Sequence, residues 1–157
     1  MANSNCVSEY KNKILNELQD DSDFLYVLNV TEEEIEKGLV YTRLFPYFYI
    51  TDTQTVVKTY ICIEVNINSI SRNDVYSYPQ IIVTIISHQD DMKIDIPSVS
   101  ATKIDYLSQL IDAKFNGADG FGIGKLVLKT NIEGNLNDVY RYRRLIFKST
   151  DINNGEC

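Results

Sequence analysis

The pattern of apolar and polar residues along the chain predicts two β-strands. In Val56–Ile67, isoleucine or valine occupies every second position from Ile61 onward, with polar or aromatic residues between them. Gln80–Ser87 carries apolar residues on both faces, so neither face suits solvent. The first stretch therefore predicts a strand with one face in the core. The second predicts a central strand that is covered on both faces.

Three other stretches have the spacing or the end signals of helices. Ser8–Gln19 and Thr102–Asn116 carry apolar residues at intervals of three or four, with charged residues between them. Thr31–Gly38 begins with a capping box and ends at a glycine. We predict an N-terminal helix capped by Ser8, a short second helix, and a longer helix that packs on the central strand with Lys103 facing outward.

A β-hairpin is predicted towards the C-terminal end. Two arms, Ile123–Lys129 and Val139–Lys148, flank the turn-forming residues Asn131–Asn135. In the second arm Arg141 and Arg143 share one face, and further long side chains occupy the other. Because both faces carry long side chains, we expect part of the hairpin to meet another surface.

The remaining stretches are predicted to be loops or ends of one domain. Residues 68–78 are polar and indicate a loop of about ten residues that projects from the sheet. Residues 117–124 contain four glycines and indicate a mobile loop before the hairpin. We expect a single domain over residues 1–157, with the sheet and long helix within about 40–151 and a frayed tail at 152–157.

These elements define an α+β fold. We expect a mixed, mostly antiparallel sheet of about five strands, with one long helix packed on it and an N-terminal helix. The composition agrees, because 44% of the residues are hydrophobic and eleven are tyrosine, and β-branched and aromatic residues favour strands.

Charge and cysteine content narrow the function classes. The net charge of −7 disfavours nucleic-acid binding through overall electrostatics. The three cysteines are an odd number without close spacing, which argues against a disulfide framework or a zinc ribbon and favours reduced thiols. The chain shows no basic leader and no apolar run near the roughly 18 residues of a membrane span. We expect synthesis in the cytoplasm and no membrane association.

One group of residues is a candidate for catalysis. His88, Asp90 and Asp91 follow the central strand, where an acid/base pair or a carboxylate metal site would suit a small metal-dependent hydrolase or nuclease. His88 is the sole histidine, so we favour a polar strand end. Asp20–Asp23 lacks calcium-loop spacing, and Gly120–Lys125 lacks the pattern of a phosphate loop. We expect no catalytic residue, no cofactor and no metal.

Two groups of residues are candidates for contacts between subunits. Arg141 and Arg143 suit bidentate pairing with carboxylates across an interface, although pairing within the subunit is an equal alternative. Tyr47 and Tyr49 belong to the aromatic run Leu44–Ile50, in which an early proline indicates an edge strand. A core or subunit contact is favoured for this run, because the basic groove of a single-strand binder is missing.

Several segments together resemble the small head-to-tail connector proteins of tailed bacteriophages, and they are Tyr60–Val65, Lys103–Ile111, Phe121–Leu126 and Tyr140–Phe147. Within that group the chain is most similar to the tail terminators. The resemblance implies a virion protein that forms a hexameric ring, caps the tail tube and joins it to the head connector or stopper proteins. DNA would pass through the lumen of this ring without specific binding.

Three other functions stay open beside a tail terminator, and one of them is the small metal-dependent hydrolase or nuclease centred on His88. A head-completion or stopper protein of the same junction has a comparable size. A regulatory binding module that uses the aromatic residues Tyr47–Tyr49 is a third possibility. Because no catalytic group of residues is evident, we expect a non-enzymatic protein whose function lies in assembly.

Overall fold

The computed structural model describes residues 4–51 and 55–153, apart from the side chain of Ser69. In these residues the helices are Ser4–Gln19 (α1), Ser22–Leu28 (α2), Glu32–Lys37 (α3) and Lys103–Phe115 (α4), with a short 3-10 helix at Gln89–Asp91. The strands are Leu44–Phe45 (β1), Thr59–Ile70 (β2), Tyr76–His88 (β3), Val127–Asn135 (β4), Tyr140–Lys148 (β5) and Asp151–Ile152 (β6).

The strands form one mixed sheet in the order β1-β2-β3-β5-β4, and β6 pairs with the start of β3. β1 runs parallel to β2, whereas the other pairs are antiparallel. β3 is the central strand, because β2 and β5 pair with it along most of its length. The predicted α+β class with a mixed, mostly antiparallel sheet is confirmed.

The main core lies between one face of the sheet and the helices α1, α2 and α4. The apolar stripe of α4 is fully buried, as its spacing predicts, and consists of Ile104, Leu107, Ile111 and Phe115. These side chains meet the inward residues of β3 and β5, among them Val83 and Leu145. Each fully buried side chain of this size stabilises the fold by about 1.5–3 kcal/mol, so helix packing holds this face of the sheet.

A smaller aromatic cluster covers part of the opposite face. Its buried members are Phe45, Tyr60, Cys62, Ile86 and Tyr140. The segment after β1 supplies partly buried aromatic side chains to the same cluster. β3 is therefore buried on both faces towards its end, as predicted for the central strand.

The N-terminal helices agree with the sequence pattern in part. α1 ends at Gln19 as predicted, but it begins at Ser4 rather than at the predicted cap Ser8. The capping box of α3 is confirmed, because Thr31 and Glu34 bond each other's backbone N–H groups. α1 therefore extends further towards the N-terminus than its apolar periodicity indicates.

The sequence pattern does not reveal α2. Asp21, part of a predicted turn, is the N-cap of this helix and accepts a hydrogen bond from the Phe24 N–H at 3.0 Å. Its carboxylate also pairs with Lys114 of α4 at 3.0 Å. Seven residues are too few for a clear helical period, yet Phe24 and Leu28 are fully buried and anchor the helix.

Two predicted loops lie at least partly in strands. The loop or strand connector predicted at residues 68–78 is present but shorter, because β2 continues to Ile70 and β3 begins at Tyr76, which leaves residues 71–75 as the connection. The turn predicted at residues 131–135 is wrong, because these residues lie in β4 and the turn follows at 136–139. The first arm accordingly starts at Val127 and not at Ile123. Both segments are largely exposed, so their polarity does not distinguish strand from loop.

The glycine-rich segment between α4 and β4 is anchored by Phe121. This ring is fully buried and lies 6.3 Å from Phe115 and 5.6 Å from Tyr10, measured between centroids. At the end of the chain, β6 includes Ile152, which corrects the predicted start of the frayed tail. Residues 154–157 of that tail lie outside the described residues.

One of the described cysteines differs from the prediction of reduced thiols, and the other agrees with it. Cys62 is free and buried, and burial raises the pKa of its thiol to about 11. Cys6 is disulfide-bonded, so the prediction of reduced thiols is wrong for this residue. Among the described residues, none of the helices has the length and apolarity that crossing a membrane requires.

Candidate functional site

The predicted catalytic group lies where β3 ends and the short 3-10 helix begins. His88 is the last residue of β3 and is nearly buried, with its ring 5.2 Å from the ring of Tyr140. Its Nδ1 atom accepts a hydrogen bond from the Asp90 backbone N–H at 3.1 Å. The Asp90 carboxylate is exposed and lies 3.6 Å from the same nitrogen. His88 is therefore the N-cap of the 3-10 helix, a structural role that suits a polar residue at the end of a strand.

Asp91 belongs to a largely buried ion pair. Its carboxylate pairs with the Lys103 ammonium, and its second oxygen accepts a hydrogen bond from the Thr59 hydroxyl at 2.7 Å. The Thr59 hydroxyl also lies 2.8 Å from that of Ser87. The Lys103 side chain is only 3% exposed, which corrects the prediction that it faces outward. The pair fastens the start of α4 to the end of the sheet.

A second buried ion pair lies beside the first. The Arg43 guanidinium contacts both Glu34 oxygens at 3.1 Å, and it also donates to the backbone carbonyls of Leu28 and Thr59. The exposed Lys58 ammonium reaches the same carboxylate at 2.9 Å. Arg43 thus joins α2, α3 and the starts of β1 and β2.

The electrostatics of Glu34 follow from these contacts. Burial alone would raise the pKa of Glu34. The Thr31 N–H and the cations of Lys58 and Arg43 lower the pKa by more than burial raises it, so that it falls to about 2. The carboxylate is therefore charged throughout the neutral range, and its charge is neutralised inside the subunit.

Thr59 connects the two ion pairs into one polar network. Its carbonyl accepts from Arg43 and its hydroxyl donates to Asp91. Clefts of about 250 and 480 Å³ flank the network, and both are lined in part by Asn29 and Asp91. Within the described part of the chain, no group of three or more histidine, cysteine or acidic residues could hold a metal ion. The network is arranged to hold elements together, because each of its buried charges already has an opposite charge.

Arg143, predicted as an interface residue, has partners within the subunit. Its guanidinium lies 2.6 Å from Asp105 of α4 and 3.2 Å from Glu133 of β4. It also donates to the Asn131 side chain at 3.0 Å. For Arg143, these contacts correspond to the alternative of ion pairing within the subunit. The side chain is 18% exposed, which leaves a small surface for a further contact.

Arg141 lies at the turned end of the β4–β5 hairpin. Its guanidinium donates to the carbonyls of Asn137 and Asp138 at 3.1 and 3.2 Å. Among the described residues its partners are thus neutral carbonyl oxygens, so its charge is still available to an acidic group of another chain.

The predicted aromatic contact residues lie beyond the short edge strand β1. Tyr49 stacks on Phe45, with ring centroids 4.1 Å apart, and is half-buried. Tyr47 is 45% exposed and lies 6.2 Å from the exposed ring of Tyr41. Tyr49 therefore belongs to the aromatic cluster on the sheet, whereas Tyr47 and Tyr41 present an aromatic surface to solvent.

The opposite edge of the sheet is formed by β4. Most of its residues are exposed, and apart from β5 no strand of the described chain pairs with it. A bulge interrupts its pairing between Leu128 and Thr130. Val127 and Ile132 are 40% and 48% exposed on this strand. The two edges thus differ in length, in chemistry and in the side chains that they expose.

Fold and site together define an α+β protein with two buried ion pairs joined through Thr59 and two unlike exposed sheet edges. A model of the YomW family matches residues 11–149, so the chain belongs to the YomW family. This is a Bacillus family of phage type from the SPbeta and skin regions, and membership indicates a phage-derived protein. None of the curated proteins shows significant similarity to the chain.

Proposed function

We propose that the protein is a structural, non-enzymatic component of the phage particle that assembles into a ring at the head–tail junction. Its role is that of a tail terminator, which caps the tail tube and joins it to the head connector. Membership of a phage-type family supports a phage role in general. The more specific role is supported by the chemistry of the sheet edges.

The observation that carries the proposal is the difference between the two edges of the sheet. The β1 edge is short and lies beside the exposed rings of Tyr41 and Tyr47. The β4 edge is nine residues long and exposes aliphatic side chains. A closed ring needs two different, complementary surfaces on each subunit. Unlike edges on opposite sides of one sheet meet this requirement.

The contacts inside the subunit also support assembly over catalysis. The buried charges Arg43 and Lys103 are paired with Glu34 and Asp91, so they stabilise the fold. Tyr47 at the β1 edge and Arg141 at the hairpin end keep groups that a neighbouring subunit can use. Tyr49 and Arg143 would contribute mainly by positioning these surfaces, because most of their contacts are internal.

The surrounding partners follow from the proposed position. The ring would contact the tail tube protein on one side and the head connector or stopper proteins on the other, with DNA in its lumen. The chain carries a net charge of −7, which suits a conduit that does not retain DNA by non-specific attraction.

Deletion of the gene from an inducible prophage tests this role. We expect filled heads and separate tails without joined particles, and joined particles again when the gene is supplied in trans. An epitope on the supplied protein should be labelled at the neck of these particles. Normal particles from the deletion strain would contradict a role at the junction, and label on the capsid or tail tip would assign the protein to another part of the virion.

A further inference from the structure

A cleft at the start of β4 concentrates positive charge. It has a volume of about 370 Å³, and the side chains of Lys125, Lys129 and Lys148 line it together with Val127 and Tyr78. Lys125 lies 3.4 Å from the exposed Asp119. Lys129 and Lys148 have no ion-pair partner in the described ranges 4–51 and 55–153. On a protein with a net charge of −7, this group of cations is a local exception.

Apolar side chains lie between the cations of the cleft. Val127 is 40% exposed and Tyr78 is 37% exposed. An apolar centre with a charged rim is typical of contacts between proteins. A site for the DNA backbone instead gathers many cations along a track, and the net negative charge opposes such binding. The cleft therefore suits an acidic protein segment with an apolar side chain of its own.

Helix α3 carries a surface with the opposite composition. Glu32, Ile35 and Glu36 share a helix face by their spacing. All three are exposed, Ile35 to 51%. Glu32 and Glu36 have no ion-pair partner among the residues that the structure describes. The remaining acids of α3 are engaged, because Glu33 pairs with Lys37 and Glu34 with Arg43.

The two surfaces lie at opposite edges of the same sheet. α3 is fixed beside the β1 edge, because Glu34 binds Arg43 directly before β1 and Lys58 directly before β2. The cleft lies at the β4 edge, where Lys148 of β5 pairs with Val127. Since a subunit cannot close its own sheet, the two surfaces can meet only between copies of the chain.

We propose that the lysine cleft binds the α3 face of the next copy of this chain. Lys129 and Lys148 pair with Glu32 and Glu36, and Ile35 packs against the apolar residues of the cleft. The proposal rests on the proposed ring and names the surfaces that form it. Because the two surfaces differ, the contact between subunits is heterologous and can be repeated around a ring.

The geometry of the β4 edge favours contact through side chains over continuous strand pairing. The bulge between Leu128 and Thr130 and the lysine at this position are features that keep an edge strand from pairing with another edge. The cleft is level with the start of β3, whereas α3 is level with its end, near Thr59 and Ser87. A line between the surfaces crosses the sheet diagonally, so the strands would be inclined to the plane of the ring.

Charge reversal tests the proposal. The cleft-reversed variant carries Lys129→Glu with Lys148→Glu, and the helix-reversed variant carries Glu32→Lys with Glu36→Lys. Each variant alone has two surfaces of the same sign, and we expect it to lose the ring species in mass photometry. An equimolar mixture should restore the ring, because the two variants can alternate around it. A variant with all four substitutions should also form the ring alone.

Matched controls separate this contact from general charge effects. Arg72→Glu with Lys93→Glu changes the net charge by the same amount as the cleft reversal, at exposed positions that belong neither to the lysine cleft nor to α3, and should leave the ring intact. Circular dichroism checks that each variant is folded. If lysines in the first turn unfold α3 through the helix dipole, Glu32→Gln with Glu36→Gln keeps the helix and should still weaken the ring.

The outcomes distinguish the proposal from the function on which it rests. Rings in the cleft-reversed variant, or a mixture that stays dissociated although both variants are folded, would overturn the contact and leave the ring itself standing. A wild-type protein that is monomeric under all conditions would overturn the ring as well. If the cleft-reversed variant loses affinity for duplex DNA while its ring is unchanged, the cleft is a nucleic-acid contact and the proposal is wrong.

Discussion

Arg43 illustrates at the scale of single residues how one buried cation connects segments that are distant in sequence. Its guanidinium bonds a carboxylate of α3 and carbonyls at the end of α2 and the start of β2. A buried charge of this kind is tolerated because each of its donors has an acceptor. Removal of the cation would take a hydrogen-bond donor from the Glu34 carboxylate and from the carbonyls of Leu28 and Thr59.

Substitution Arg43→Met should therefore destabilise the protein strongly. We expect the free energy of unfolding to fall by about 3–5 kcal/mol, which is typical when one partner of a buried ion pair is removed. Lys58→Met is the matched control, because Lys58 binds the same carboxylate but is 48% exposed, and should change it by less than about 1 kcal/mol. Denaturant unfolding measures both values. Equal losses would show that Arg43 is not the centre of the network.

The low pKa of Glu34 predicts a dependence of stability on pH. Its pKa is about 2 in the folded protein and 4.5 without such contacts. A carboxyl group with a lowered folded-state pKa contributes stability above its unfolded value, and that contribution is lost as pH falls from about 4.5 towards 2. The free energy of unfolding should fall less steeply over this range in Glu34→Gln than in the wild type. Parallel pH profiles would contradict this assignment.

The residue-level contacts could be predicted only where both partners are close in sequence. The capping box between Thr31 and Glu34 is visible in the chain because three residues separate them. The ion pairs of Arg43 and Lys103 are not visible as pairs. In the sequence, Lys103 directly follows the helix cap and is predicted to face solvent. Its burial depends on the ion pair with Asp91, which only the fold brings close to it.

At the scale of elements, the sequence predicts a strand reliably when both of its faces are buried, and a helix reliably when its apolar residues repeat over several turns. β3 and α4 were predictable, since one is apolar on both faces and the other carries a full helical stripe. The β4–β5 turn was not, because β4 is an exposed edge strand with the polar composition of a turn. α2 was not predictable either, because its seven residues complete fewer than about two turns.

The segment between α4 and β4 offers a prediction about its glycines. Gly122 has a φ of +106°, and a Cβ atom there would lie 2.4 Å from the carbonyl oxygen of Thr150. Gly117 has a φ of +87° and nothing within 4 Å of a Cβ atom. Gly117→Ala should cost about 1–2 kcal/mol from backbone strain alone, and Gly122→Ala should cost more. Similar unfolding midpoints for the two variants would show that the segment adjusts freely.

At the scale of the whole molecule, charge is distributed unevenly over an acidic protein. Arg43 and Lys103 are paired with acids inside the subunit, while the lysine cleft and the α3 face carry unpaired charges at opposite edges of the described sheet. The resemblance of the sequence to phage connector proteins is confirmed as far as a phage-derived protein. The place in the particle stays a prediction, because surfaces that contact other chains carry no local motif in the sequence.

Assembly through opposite charges predicts a dependence on salt. Raising the salt concentration from about 0.05 to 1 M shortens the Debye length from more than 10 Å to about 3 Å. The ring species should therefore decrease relative to the monomer, and the decrease should be measurable by sedimentation velocity. A ring that persists or becomes more abundant at high salt would indicate an apolar contact that does not depend on the cleft.

The central claim is that copies of this chain close into a ring, and the mass of the purified protein in solution tests it most directly. Mass photometry of the wild-type protein at low salt should show one dominant species whose mass is that of a hexamer of the 18.0 kDa chain. A single species with the mass of one chain at every accessible concentration would contradict the account.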